Sequence, residues 1–166
     1  EIANAVAGNE HGFYSFEGLK RNGNSRLHIT STHFDEPLGL ELATTAEKVL
    51  VIHGCKDDSP IIFLGGRDTV MKEALRACLE EAGFPVAETP RFPGKNERNL
   101  CNRGRSREGV QLEISLALRM SLFSRLERSE RSKGVTKQFH TLVSSIREAL
   151  LIPVSRQNDS PNSLIP

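Results

Sequence analysis

This chain of 166 residues has no tryptophan, only 5% aromatic residues and three cysteines. So few aromatic rings leave few platforms on which exposed bases could stack, which argues against single-stranded nucleic acid as the partner. Three cysteines are an odd, small set. They argue against a disulfide-stapled secreted scaffold and suit a reducing, cytoplasmic compartment. Long hydrophobic runs are also absent. The longest, VLVI and IIFL, are far short of the roughly 18 apolar residues of a membrane span and suit strands instead. A starting methionine is missing too. The chain opens on Glu1, and EIANAVAG reads as the tail of a helix stopped by Gly8. The N-terminus is therefore expected to be clipped.

With glycine counted, the apolar share is about 45%, the normal globular range. One domain over residues 1–154, followed by a disordered polar tail over 155–166, is the expectation. The net charge of +1 conceals an asymmetry. Residues 1–90 carry 8 Lys/Arg against 14 Asp/Glu, whereas residues 91–156 carry 14 against 6. A basic second half fits an anionic ligand, either a polycarboxylate or a nucleic acid. Within it, the loop holding Arg103, Arg105 and Arg107 leads into an apolar strand, where a loop is well placed to meet a ligand.

Strands are expected at GFYSFEG and LHITS, joined by an Asn-Gly turn. A helix starting at DEP should run to about Lys48, with Pro37 in its first turn. VLVIHG and IIFLGG have the apolar pattern of strands buried on both faces. Asp68 is placed to cap a helix reaching about Ala82, whose apolar residues recur at helical spacing. FPVAET and VQLEIS are further strands, separated by a long loop that is either disordered or functional. LALRMSLFSRLERSE is a helix, and a last amphipathic helix carries Phe139, Leu142, Val143, Ile146 and Leu150 on one face. Alternating strands and helices define an α/β fold with a mixed or largely parallel sheet flanked by helices.

Ligand sites in such folds lie beyond the C-terminal ends of strands. His53 with Cys55, Arg67 with Asp68, and Glu113 occupy positions of that kind. Glu113 stands in an otherwise apolar strand, where a carboxylate needs either a partner such as Arg103 or a raised pKa suited to a general base. His53 can be a metal ligand, a proton shuttle or a hydrogen-bonded structural residue. His28, His33 and Asp35 match no metal-ligand spacing. Cys55 beside His53 lacks the third group that would orient a nucleophile. Cys78 lies on the apolar face of its helix, and Cys101 in an exposed-looking loop.

Taken together and in order, FEGLKRNGNSRLHITSTHFDEP, VLVIHGC, FLGGRD, LCNRG and GVQLEIS resemble the phage-type poly-γ-glutamate hydrolase family, some of whose members are labelled phage-related replication proteins. The likeness runs from Glu1 to about Arg119. It implies a zinc carboxypeptidase-like α/β fold and a zinc-dependent hydrolase of γ-glutamyl amide bonds in an anionic polymer. By the same resemblance His53 is a zinc ligand and Glu113 the general base. Arg67, Asn102, Arg103 and His28 are candidates for binding substrate, the arginines because guanidinium groups pair bidentately with carboxylates. The family's HGG-x-x-E segment, which supplies two further zinc ligands, is expected upstream of Glu1, so this stretch alone should hold zinc weakly and be inactive. A monomer, cytoplasmic and released on lysis if phage-encoded, is the expected form. The competing readings are a nucleic-acid-binding phage-related protein and a non-catalytic polymer binder.

Overall fold

The computed structural model describes residues 1–20, 22–125 and 131–152. Helix α1 (Ile2–Ala7) ends at Gly8, whose φ of 53° lets the chain leave the helix. Glu36 then caps α2 (Pro37–Thr45), its carboxylate accepting the backbone N–H groups of Leu38 and Gly39. Strand β1 (Leu50–Cys55) follows, then β2 (Ile62–Gly66), α3 (Thr69–Glu81) and β3 (Val86–Glu88). Strand β4 (Val110–Ser115) continues directly into α4 (Leu116–Leu122), and α5 (Lys137–Leu151) comes last. Asp68 and Thr136 cap α3 and α5 through their side-chain oxygens, as capping chemistry requires.

The strands form one mixed sheet in the order β1-β4-β2-β3. β4 runs parallel to β1 and antiparallel to β2, and β2 is parallel to β3. One face of this sheet builds the core. Ile62 and Leu64 of β2 and Val110, Leu112 and Ile114 of β4 pack there with Leu75 and Leu79 of α3, Leu118 of α4 and Leu142 and Ile146 of α5. Each of these side chains is at most 1% exposed.

Several expectations need correction. GFYSFEG and LHITS are not strands: both lie outside the ladders, and Asn24–Leu27 between them is a 3-10 turn. Alternating aromatics mark an extended chain whether or not it is hydrogen-bonded to a neighbour. Here Tyr14 and Phe16, two residues apart, set their rings edge-on against Phe34 of the α2 approach instead. β1 is an edge strand, half-buried over Leu50–His53, rather than a strand covered on both faces. The long loop after β3 is ordered; Asn99, Cys101 and Asn102 within it are buried, so Cys101 is not exposed. α2 stops at Thr45, before Lys48. The helix expected from LALRMSLF onward ends at Leu122, Phe123 bridges to Val135, and residues 126–130 and the tail beyond 152 lie outside the described residues.

The Gly65-Gly66 pair lets the long loop fold back on the sheet. A Cβ on Gly65 would stand 2.3 Å from the carbonyl oxygen of Phe92, and one on Gly66, whose φ is +114°, would stand 2.1 Å from that of Gly109. The Gly109 carbonyl also accepts the N–H groups of Arg67 and Asp68, so it cannot retreat without loss. Gly66→Ala should therefore lower stability by about 2 kcal/mol or more, roughly 5 °C in Tm. Gly83→Ala also has positive φ but meets open space, so it should cost less. Equal Tm losses in the two variants would show that the backbone collision is not the cause.

Candidate functional site

The face of the sheet away from the helices carries the polar groups. Because side chains alternate along a strand, the residues that pack inward on β4 leave Gln111, Glu113 and Ser115 on the opposite face. In the ladders Glu113 lies between His53 of β1 and Phe63 of β2. His53 and Glu113 thus occupy one row of the sheet, as neighbours on one face. The sequence reading of both as site residues brings together two groups from strands that are sixty residues apart in the chain.

Loops close over part of this face. Phe92 packs against Phe63 with the rings tilted by 48° and centroids 5.8 Å apart, and its carbonyl accepts the amide of Gln111. Asn99 donates from Nδ2 to Gln111 Oε1 at 2.8 Å. Arg91 pairs with Asp57 at 3.2 Å, donates to the Lys56 carbonyl and lies over the Phe92 ring. Leu100 N–H donates to the Ser31 carbonyl, which ties the loop to the segment lying over β1. Ser31 Oγ then meets His53 Nε2 at 3.0 Å.

Burial sets the protonation of both central groups. Desolvation pushes the Glu113 carboxyl up to about 7, with the nearby Arg91 guanidinium pulling the other way. A group poised there exchanges a proton near neutral pH. His53 is shifted down, first by burial and then by the charge of His28, which keeps its imidazole neutral, the form that ligates metals. Cys55 follows His53 on the same face, but burial and the nearby carboxylates of Glu113 and Asp57 raise its thiol. It is a poor nucleophile. Cys78 is buried in the core, and the wholly buried Cys101 is pushed up to about 12.

The other candidates separate. His28 is exposed and close enough to influence His53. Asn102 is 1% exposed and donates Nδ2 to the carbonyls of Gly94 and Asn96, so it holds the loop's own backbone. Arg103 donates to the carbonyls of Arg98 and Phe34, not to Glu113. Arg67 is exposed at the far end of β2, beyond the Gly66–Val110 row. Because β2 runs antiparallel to β4, the ends of β2 and β1 point in opposite directions, and the rule about C-terminal strand ends does not bring Arg67 to His53. Asp68 is spent on capping α3 and on an ion pair with Lys48. Arg91 and Ser31 are neighbours of Glu113 and His53 that sequence reading missed. Their only signal was position, in loops whose return over the sheet depends on strand order.

Among the described residues, no three His, Cys, Asp or Glu side chains converge to hold a metal ion. His33 turns instead to Thr30, with Nδ1 2.8 Å from its hydroxyl. The described residues therefore offer His53 as one ligand donor and do not by themselves fit the three-ligand set of a catalytic zinc.

The raised Glu113 carboxyl gives a stability prediction. Its folded value lies above the ordinary one of 4.5, so its contribution to stability is fully present below 4.5 and is lost as pH rises through about 7. With metal chelated, Glu113→Gln should match the parent protein near pH 4.5. At pH 8.5 it should be more stable by about 1–2 kcal/mol, a rise of a few degrees in Tm. A Tm difference that does not change with pH would contradict the burial account.

Comparison with known proteins bears on this site. The family model described as poly-gamma-glutamate hydrolase matches residues 1–145. The UPF0714 protein YndL of Bacillus subtilis strain 168 is 36% identical over 144 residues, 84% of this chain and 56% of that protein. The UPF0714 protein YmaC of the same organism is 34% identical over 145 residues, 86% of this chain and 62% of that protein. The chain thus spans less than two thirds of the length of these curated relatives. Among solved structures, a bacteriophage poly-gamma-glutamate hydrolase superposes with a TM-score of 0.84 at 35% identity, covering 90% of this chain and 74% of the other. The zinc-free form of YndL superposes at 0.85 with 34% identity, covering 90% and 75%. The same mixed sheet flanked by helices is common to all three, and this chain belongs to the poly-γ-glutamate hydrolase family.

Proposed function

We propose that this chain carries the proton-handling part of a zinc-dependent hydrolase that cuts γ-glutamyl amide bonds of poly-γ-glutamate. The observation that carries this reading is the shared row of His53 and Glu113 on the face of the sheet away from the core helices. Amide hydrolysis needs water to lose a proton as it attacks the carbonyl, and the leaving amine to gain one. One carboxyl group with a pKa near neutrality can do both in turn. Glu113 takes the water proton and returns it to the amine, while Arg91 holds its charge in check when it is ionised. His53, neutral and held through Nε2 by Ser31, presents an imidazole beside it.

Family members with zinc bound would have the metal polarise the carbonyl. His53 is our candidate for one of its ligands. The remaining donors are not among the described residues, and the resemblance assigns them to an HGG-x-x-E segment. No step above runs through the metal. His28, exposed beside His53, is a candidate to meet the substrate. Among the described residues no helix is long and apolar enough to cross a membrane.

The test uses the full-length gene product with poly-γ-glutamate and zinc, following polymer length on a gel and metal content by mass spectrometry. Glu113→Gln should keep its zinc and lose about 10²–10⁴ of its turnover. His53→Ala should lose both. Full activity in Glu113→Gln would remove that residue from the mechanism. Polymer of unchanged length in every reaction of the parent protein would overturn the hydrolase reading.

A further inference from the structure

Four arginines of the second half of the chain gather toward the opposite end of the sheet from His53 and Glu113. Arg98, Arg103, Arg105 and Arg107 line a groove of about 700 Å³ together with Thr44, Gly104 and Glu97. Glu97 also lines a neighbouring hollow of about 450 Å³ with Arg67 and Lys95. Both recesses are lined by Glu97, and the cations around them make up a basic track. Backbone bonds build its floor: Arg105 and Ser106 donate their N–H groups to the carbonyls of Ala46 and Glu47, where α2 gives way to β1. Arg107 is held at a φ of 60°, uncommon for a residue with a side chain.

The charges of this track are largely unspent. Among the described residues no carboxylate pairs with Arg98, Arg103, Arg107 or Arg67. Arg105 meets Glu47 at 3.2 Å, but both side chains are about two-thirds exposed, and such a pair is weak enough for another carboxylate to displace. Arg103 is fixed by two backbone carbonyls, which presents its guanidinium rigidly. Guanidinium groups in a row along a groove match a ligand that carries a carboxylate on every repeat.

We infer that this track is a remote binding site for a polycarboxylate chain, holding the substrate polymer away from the point of cleavage. The inference rests on poly-γ-glutamate being the substrate and adds to that reading a second, non-catalytic contact. Val110 begins β4 near the track, and Glu113 lies three residues further along, roughly 10 Å at strand rise. A polymer reaches that far beyond its scissile amide, whereas a γ-glutamyl dipeptide extends only one residue to either side of its single amide. The chain should accordingly prefer long substrate over short through charges that take no part in the reaction.

The experiment measures binding with metal chelated, so that hydrolysis does not enter. Fluorescent poly-γ-glutamate, a γ-glutamyl dipeptide and single-stranded DNA of matched charge are titrated into this chain at two salt concentrations. The triple variant R98Q/R105Q/R107Q should bind the polymer at least tenfold more weakly, with less sensitivity to salt. A control with the same change of charge, K20Q/R26Q/K137Q, should stay within twofold of the parent, since these exposed residues lie outside the track. Equal losses in the two variants would reduce the effect to net charge and overturn the track. DNA bound as tightly as the polymer would overturn the polycarboxylate assignment in favour of nucleic acid. Failure of polymer binding alongside intact cleavage by the full-length product would reject the track and leave the hydrolase reading standing. Polymer bound through the track without cleavage would do the reverse.

Discussion

A carboxylate in the middle of a central strand is the constraint around which this fold is arranged. Glu113 has a strand on either side of it, so its backbone cannot shift to find water, and its side chain must use the face that the helices do not cover. That face leaves His53 and Glu113 half-buried and is closed elsewhere by Phe92, Gln111 and Asn99. Closure removes enough water to raise the carboxyl, and partial exposure keeps both side chains in reach of solvent. Both conditions follow from how the loop after β3 returns across the sheet.

That return depends on small residues and backbone bonds more than on apolar packing. Gly65 and Gly66 let the carbonyls of Phe92 and Gly109 approach to distances no side chain permits. Asn99 and Asn102 then tie the loop to Gln111 and to its own backbone. The FLGGRD string that looked like part of a ligand loop is in this sense a packing device, with Asp68 capping α3. Its arginine is exposed on a different part of the molecule. The charge asymmetry along the chain becomes a spatial one: the half-buried His53 and Glu113 toward one end of the β1–β4 pair, exposed arginines toward the other.

Much of this was legible before any coordinates. Asp68, Pro37 and Gly8 mark helix ends through local chemistry, and the apolar spacings of α3 and α5 place their buried faces. Glu113 stood out because it interrupts an apolar strand, and His53 because it follows one at its end. Pairing was harder to read. Tyr14 and Phe16 alternate as a strand does, yet their segment packs by its rings rather than by a ladder. The reversal of β2 against β4 also has no local signature. It moves Arg67 away from the His53 row and brings Arg91 near Glu113, and neither outcome can be derived from spacing along the chain.

The account rests on a carboxyl group held near neutrality by its surroundings, and that can be observed directly. A carbon-13 NMR titration of the side-chain carboxyl of Glu113, assigned by comparison with the Glu113→Gln protein and recorded with metal chelated, reports its protonation without reference to activity. The account predicts a midpoint near 7. A midpoint at the ordinary glutamate value of about 4.3 would contradict it, leaving Glu113 as a solvated surface charge rather than the centre of the site.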